Sequence, residues 1–240
     1  MTAPLFLYLP LLFLGGMFSS VSGGGLGIFT VILGSFFLDV RTNIAFTSIL
    51  MITIQFAKMT QFHAAIRWDV VFWYVLLGLP MSVIGGMLLF LIPPIIPQIL
   101  LGVFCLAFVA VRIWKVMPPF PPGKVTLVIF GAVNGFIGGL IGSASLLRMP
   151  ALVAMGMRKE VFIGTSAVIA FTMNLGKASV YAVNLDWTPE LLRLFLFSIP
   201  VMFLSVWIGK KLLRFVSVQL FEDLQLGIIT LGALRLLLFP

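Results

Sequence analysis

Charged residues are scarce in this chain: Asp, Glu, Lys and Arg make up 9 % of its 240 residues, whereas 61 % are hydrophobic. A water-soluble domain of this size carries about 25 % charged residues. The mean hydropathy is +1.22, and the apolar runs are too long and too numerous for a soluble core. The composition therefore excludes a soluble globular protein and predicts an all-α integral membrane protein with several spans.

The residues that most enzymes and metal sites need are also rare. Cysteine and histidine occur once each, as Cys105 and His63, which excludes an internal disulfide and a Cys- or His-based metal cluster and argues against a Ser-His-Asp triad. No Walker-type phosphate loop is present, so we expect no ATP hydrolysis. The seven acidic residues lie at the edges of apolar segments, which leaves the coupling ion, H⁺ or Na⁺, unassigned. We expect no enzyme activity, catalytic residue, cofactor or metal.

The net charge of +8 is not arranged as in a nucleic-acid-binding protein, because no run of Lys and Arg and no aromatic-basic interleaving occurs. Membrane proteins collect such cations in cytoplasmic loops. The N-terminal residues show no basic region and no cleavage motif, so we expect the first hydrophobic segment to belong to the mature protein. We read that segment, residues 4–22, as interrupted by Pro10 and by Gly15-Gly16.

Two glycine-rich breaks fall inside hydrophobic segments. The first is Ser22-Gly23-Gly24-Gly25-Leu26-Gly27, and the second, 118 residues later, is Ile141-Gly142-Ser143-Ala144-Ser145. Irregular backbone at membrane depth is tolerated only where it is buried in protein or lines a cavity. A matched pair of breaks in the two halves of a chain is the best sequence indication of a transporter's binding site.

The breaks belong to a repeat of the whole chain. Phe46-Thr47-Ser48 aligns with Gly164-Thr165-Ser166 at the same offset, and at an offset of 119 Lys58 aligns with Lys177 and Gln55 with Asn174. We predict repeat 1 over residues 1–117 and repeat 2 over 118–240, with a basic, proline-rich linker over 115–124. Each repeat would hold a broken helical hairpin and three spans: 4–38, 43–62, 70–92 and 99–114 in the first, and 125–157, 161–183, 191–208 and 218–238 in the second.

This plan gives about eight full spans plus broken or re-entrant elements, up to ten segments. Whether the hairpins cross fully or re-enter stays open, because runs of about 13 residues reach only ~20 Å. Nine of the fifteen cations fall in loops that alternate for one side, which the positive-inside rule assigns to the cytoplasm. Both termini are then outside. Matched loops face opposite sides, so the halves are predicted to be inverted repeats.

Three cations lie inside spans. Arg148 is far from any surface turn, and an Arg at membrane depth costs at least ~2.5 kcal/mol. It could attract an anionic substrate, or it could tie helix-end carbonyls or pair with an acid. Lys58 and Lys177 are repeat mates and could share such a role, although each could also extend its ammonium to the interface.

The other candidate binding residues surround these cations. Gln55 and Asn174 lie three residues before the two lysines, on the same helical face. The glycine breaks could offer backbone N–H groups at a half-helix N-terminus, which binds anions. The hydroxyl candidates carry less weight, because such groups in membrane helices more often bond locally or across helices. The candidates at the breaks and in the following spans are Gly23, Gly24, Gly25, Gly142, Ser143, Ser145, Thr47, Ser48, Thr165 and Ser166. We assign Gly15-Gly16 and Gly85-Gly86 to helix packing instead.

These motifs resemble the sulfite exporter family of the TauE/SafE type across nearly the whole chain. The second half carries the resemblance with Gly142, Gly164-Thr165-Ser166, Asn174, Lys177, Tyr181 and Asp186-Trp187. The first half repeats it with Gly23-Gly24-Gly25, Thr47-Ser48, Lys58 and Trp68-Asp69. The chain departs from the pattern at Phe46, where glycine is usual, at the reversed order of Trp68-Asp69, at Ser143-Ala144-Ser145, where the family is richer in glycine, and at Arg148, where an apolar residue is usual.

The resemblance implies transport of sulfite, sulfonates or related small anions across the bacterial cytoplasmic membrane. We therefore expect an alternating-access transporter of a small, sulfur-containing anion of the sulfite, sulfonate or thiosulfate type, bound between the two breaks. The alternatives are an anion channel on the same scaffold, and a membrane subunit that anchors or supplies a soluble enzyme of sulfur metabolism. The expected partners are the anion and the lipid bilayer, without nucleic acid, and a homo-oligomer is compatible with this reading.

Overall fold

The structure is a computed structural model that describes residues 8–22, 30–32, 34–114, 121–157, 159–212 and 218–238. Within these ranges the chain forms helices and turns and no strand. A 3₁₀ turn at His63–Ala65 joins the second helix to the third. The α-helices in chain order are α1 Tyr8–Ser22, α2 Val40–Gln61, α3 Trp68–Leu91, α4 Ile95–Trp114, α5 Lys124–Ile141, α6 Ser145–Ala154, α7 Lys159–Asn184, α8 Pro189–Leu212 and α9 Val218–Leu238.

Five of these helices are long and apolar enough to cross a bilayer: α2, α3, α5 and most of α7 and α8. Shorter apolar stretches occupy parts of α1, α4 and α9. Large apolar side chains such as Leu91, Val183 and Leu231 are more than two-thirds exposed, and a surface of this kind requires lipid instead of water. The predicted all-α integral membrane fold is confirmed.

Several helices, among them α2 and α4, begin a few residues before the predicted spans. At α2 the Asp39 side chain accepts a hydrogen bond from the Thr42 N–H at 3.0 Å, so the helix starts at this cap and not at residue 43. At α4, Pro97 falls in the first turn, where a missing N–H leaves no helical bond unmade. α1 is helical on both sides of Pro10, so the expected interruption of the first segment there was wrong.

The main helix contacts form a symmetric set. α3 packs along α5 and α8 along α1, while α3 also contacts α7 and α8 also contacts α2. α2 packs against α7, and α4 packs against α9. The helices α1 to α4 correspond to α5, α7, α8 and α9 in the second half. If each helix is replaced by its counterpart, the contact α3–α5 becomes α8–α1 and α3–α7 becomes α8–α2, whereas α2–α7 and α4–α9 stay the same. The domain boundaries and the opposite orientation of the halves in the membrane stay predictions.

Glycines allow the closest of these helix contacts. α5 presents Gly131, Gly135 and Gly139, spaced four apart, to the backbone of α3. A Cβ atom on each would lie 2.0, 2.1 and 2.4 Å from a carbonyl oxygen of α3, so only glycine fits. Small residues at this spacing are typical of helix pairs in membranes.

The glycines that we assigned to packing behave in the same way. A Cβ atom on Gly85 would lie 2.2 Å from the carbonyl oxygen of Phe136 in α5. On Gly16 it would lie 1.8 Å from the hydroxyl of Ser205 in α8. Helix α1 continues through Gly15-Gly16 without a break, so the interruption expected there was wrong, whereas the packing role expected for Gly16 and Gly85 is confirmed.

Candidate functional site

The second glycine cluster breaks its helix where the sequence predicts. α5 ends at Ile141 and α6 begins at Ser145. Between them Gly142 has φ +88° and ψ −38°, a conformation that residues with a Cβ atom rarely adopt. The first cluster, Gly23, Gly24 and Gly25, lies outside the described residues.

The break lies well inside the helix bundle. The Gly142 carbonyl accepts hydrogen bonds from Ser48, at 3.2 Å, and from Lys177. Ser48 follows the start of α2 by eight residues and Lys177 precedes the end of α7 by seven, which corresponds to about 10–12 Å along each helix. The irregular backbone is therefore at membrane depth and buried in protein.

The second helix of the hairpin, α6, is too short to cross the membrane by itself. α6 has ten residues and is about 15 Å long, half of the ~30 Å hydrocarbon core. It packs against α5 and α7. Whether the whole hairpin crosses the membrane or re-enters stays a prediction.

The last carbonyls of α5 are bonded by side chains of α7. The Lys177 ammonium donates to the Gly138 carbonyl at 3.1 Å and to the Gly142 carbonyl, and the Tyr181 hydroxyl donates to the Gly139 carbonyl. Carbonyls at a helix end have no partner within the helix, and a cation there is favoured by the helix dipole. Lys177 thus stabilises the C-terminal end of α5 at the break. This structural role is compatible with a second role in ligand binding.

Arg148 lies on the other side of the break, in the first turn of α6. Its side chain is 5 % exposed, and its Nε donates to the Ser166 hydroxyl at 2.9 Å. Within the described part of the chain its terminal amino groups, Nη1 and Nη2, make no hydrogen bond. Arg148 is also near enough to Lys58 and to Lys177 to interact with both electrostatically. The structure therefore brings the three cations singled out in the sequence into one region.

This region collects positive charge in the protein interior. Lys58 and Lys177 are 3 % and 4 % exposed. All acidic side chains that the structure describes are exposed, namely Asp39, Asp69, Glu160, Asp186 and Glu190. Buried cations are costly unless they are compensated, and a bound anion would compensate them.

In the two Thr-Ser motifs, Thr47-Ser48 and Thr165-Ser166, the threonine and the serine make different kinds of contact. Thr47 contacts the Tyr8 hydroxyl at 2.9 Å and donates to Asn43 at 3.1 Å, which fastens α1 to α2. Thr165 accepts the backbone N–H of Arg67 at 3.0 Å and so fastens the α2–α3 loop to α7. In each pair the serine instead reaches the hairpin, because Ser48 bonds the Gly142 carbonyl and Ser166 bonds Arg148.

The remaining candidates lie in α2, in α7 and in the hairpin. Asn174 is buried in α7 at 8 % exposure, one turn before Lys177, whereas Gln55 in α2 is half-buried. Ser143 and Ser145 lie in and after the break, and their hydroxyl oxygens are 3.4 Å apart. The roles of all these residues in binding stay predictions.

Two buried polar residues near Arg148 escaped the sequence analysis. Tyr74 of α3 is fully buried, and its hydroxyl has no hydrogen-bond partner among the residues that the structure describes. Asn134 of α5 is 3 % exposed and its amide reaches the Met173 sulfur at 3.5 Å. Asn134 stands out as a polar residue in the apolar run 125–141 and could have been found there. Tyr74 could not, because an aromatic residue near the end of a span is ordinary.

Comparison with protein families gives one match, to the family described as Sulfite exporter TauE/SafE, over residues 8–236. The match includes both glycine clusters and all three buried cations. Neither the curated proteins nor the solved structures compared with the chain match it.

Proposed function

Because the chain belongs to the sulfite exporter TauE/SafE family, we propose that it carries a small sulfur-containing anion across the membrane by alternating access. Membership implies a multi-pass membrane transporter of the sulfite type, and we propose no enzymatic activity for it. The finer proposal is a substrate of the sulfite, sulfonate or thiosulfate type, bound at the α5–α6 hairpin. The membrane would be a bacterial-type cytoplasmic membrane, with both termini outside.

The convergence of Lys58, Arg148 and Lys177 carries this proposal. The three side chains are no more than 5 % exposed, and Arg148 interacts electrostatically with each lysine. An anion placed among them would reduce their mutual repulsion and would meet the terminal amino groups of Arg148. Guanidinium groups suit oxyanions because two parallel N–H donors match two oxygens.

The positions of the two lysines fit access from both sides. Lys58 lies three residues before the end of α2, and Lys177 lies seven residues before the end of α7. If the halves are inverted, these ends face opposite sides of the membrane, and Arg148 lies between them. An anion could then meet one lysine on entry and the other on release.

The burial of the site favours a carrier over an open channel. A permanently open pore would leave its charged lining in contact with water, whereas these three side chains are nearly inaccessible. Passage of an anion therefore requires a conformational change, and the α5–α6 hairpin is the element whose movement would expose Arg148. Broken helices in transporters commonly have this role.

Uptake of radiolabelled sulfite into proteoliposomes tests the proposal. Arg148→Ala should lower the initial rate of uptake at least about tenfold, because a hydrogen bond to a charged group is worth roughly 1.5–3 kcal/mol. Lys124→Ala is the matched control, since Lys124 is an exposed cation at the start of α5 that stacks on Trp73 at 4.8 Å. Equal uptake by the wild type and Arg148→Ala would refute the site.

Preloading the vesicles tests the mechanism. Unlabelled sulfite inside should accelerate the uptake of labelled sulfite by a carrier. The reason is that a binding site that holds sulfite reorients across the membrane faster than an empty site. A channel would show no such acceleration and would instead give single-channel currents.

A further inference from the structure

The hydroxyl group of Tyr74 is an unmet hydrogen-bond donor deep in the protein. Tyr74 lies in the second turn of α3 and its side chain is 0 % exposed. It is held in place by the close contact of α3 with α5, where a Cβ atom on Gly131 would lie 2.0 Å from the Tyr74 carbonyl oxygen. Packing of this kind leaves the ring no freedom to carry its hydroxyl to water.

Most of what surrounds Tyr74 is apolar. The ring belongs to a buried cluster formed by residues of α3, α5, α6 and α7, which includes Leu127, Ala151, Leu152 and Ile169. A hydroxyl among such groups loses its bonds to water and gains nothing in exchange. Buried polar groups without a partner are rare in proteins, and each one calls for an explanation.

The polar neighbours of this hydroxyl are hydrogen-bond donors. Arg148 is near enough to interact with Tyr74 electrostatically. Within the described residues, its Nη1 and Nη2 groups have no partner. The Asn134 amide lies beside the hydroxyl without a hydrogen bond to it, and its N–H reaches only the Met173 sulfur, a weak acceptor. Three side chains from three helices thus offer donors, and one acceptor group with several oxygen atoms could pair with all of them.

We propose that Tyr74, with Asn134 and Arg148, forms an oxyanion subsite in which the Tyr74 hydroxyl donates to an oxygen of the transported anion. The inference rests on the proposed function and adds a determinant of specificity to it. Charge alone, from Arg148 and the lysines, attracts any small anion. Neutral donors at fixed positions select an anion with several oxygen atoms, because a monatomic ion such as chloride cannot contact all the donors at the same time.

Buried hydrogen-bond donors at fixed positions make a site selective for its ligand. A site that hydrogen-bonds its ligand rejects an analogue lacking the matching group, since its own buried polar groups then stay unpaired. Tyr74 and Asn134 would therefore distinguish sulfite from chloride more strongly than they strengthen the binding of anions in general.

Isothermal titration of the purified full-length protein with sodium sulfite and with sodium chloride tests this assignment. Tyr74→Phe removes only the hydroxyl, and we expect sulfite to bind roughly 10- to 100-fold more weakly. Chloride binding should change less than about twofold. The melting temperature of the ligand-free variant should equal or exceed that of the wild type, because an unpaired buried group has been removed.

Tyr8→Phe is the matched control. Tyr8 is also fully buried, but its hydroxyl is bonded to Asn43 at 3.0 Å and to Thr47 at 2.9 Å. This variant should melt at a lower temperature and bind sulfite as the wild type does.

The outcomes separate this inference from the proposed function. Unchanged sulfite affinity in Tyr74→Phe, beside a wild type that binds sulfite, overturns the role of Tyr74 alone. An equal loss of sulfite and chloride binding with a lowered melting temperature also overturns it, because Tyr74 would then be structural. A wild type that binds neither sulfite, thiosulfate nor taurine overturns both.

Discussion

Replacing Gly142 by alanine should destabilise the hairpin that holds the site. Gly142 has φ +88°, and a Cβ atom there would lie 3.1 Å from Ile44 and 3.4 Å from Val31. Its carbonyl is also the acceptor for Ser48 and Lys177. The substitution therefore has two effects: it strains the backbone, and it displaces the carbonyl that accepts the hydrogen bonds of Ser48 and Lys177.

The expected magnitude follows from these two effects. A residue with a Cβ atom in such a conformation costs about 1–3 kcal/mol, and forcing a methyl group into a packed site costs a further 1–3 kcal/mol or so. We expect Gly142→Ala to lose about 2–4 kcal/mol, with both effects near their lower or middle values because Ile44 can shift slightly. For a chain of this length that corresponds to a melting temperature lower by roughly 5–15 °C.

Two other glycines provide controls for thermal unfolding in detergent. Gly156 has φ +71°, and a Cβ atom added there would meet nothing within 4 Å, so Gly156→Ala tests backbone strain alone and should cost about 1–2 kcal/mol. Gly138 lies within α5, where a Cβ atom would meet its nearest neighbour at an ordinary 3.5 Å. Gly138→Ala should be neutral or stabilising by up to about 1 kcal/mol.

The order of the three variants is the test. We expect Gly142→Ala to melt below Gly156→Ala, and Gly138→Ala to melt at or above the wild type. A Gly142→Ala protein that melts with the wild type and transports sulfite at the same rate would refute the reasoning, because neither strain nor the position of the carbonyl would then matter.

Two further predictions concern helix contacts. Gly135→Ala should greatly reduce the yield of monodisperse protein in size-exclusion chromatography, because its Cβ atom would lie 2.1 Å from the backbone oxygen of Gly78, whereas Gly227→Ala, which meets nothing within 4 Å, should leave the yield unchanged. Tyr181→Phe should lower the free energy of unfolding by about 1–3 kcal/mol in a denaturant titration, since the buried Gly139 carbonyl loses its donor; equal stability would mean that another donor replaces it.

The features that the sequence predicts are those that violate the rules of an apolar helix. Glycines at Gly142 and charges at Lys58, Arg148 and Lys177 are costly in a membrane span, so each indicates a special environment. The structure confirms the break and brings the three cations together. The repeat added weight to Lys58 and Lys177 because it aligned them.

Other parts of the site cannot be recognised from the sequence. Tyr74 is an ordinary residue for a span, and only the packing of four helices shows that its hydroxyl lacks a partner. Likewise, the sequence suggested that the break offers N–H groups, whereas the groups seen bonded there are the carbonyls of Gly138, Gly139 and Gly142. Which backbone groups face a side chain depends on the direction in which the chain leaves a helix, and the composition of the break does not determine that direction.

The central claim is that the anion binds at Arg148 within the α5–α6 hairpin. Selenite has the same charge and shape as sulfite, and its selenium can be located by anomalous diffraction from crystals of the full-length protein. The account predicts an anomalous peak within hydrogen-bonding reach of the Arg148 guanidinium, which disappears in Arg148→Ala crystals grown with the same selenite. A peak elsewhere in the protein that persists in Arg148→Ala would contradict the claim.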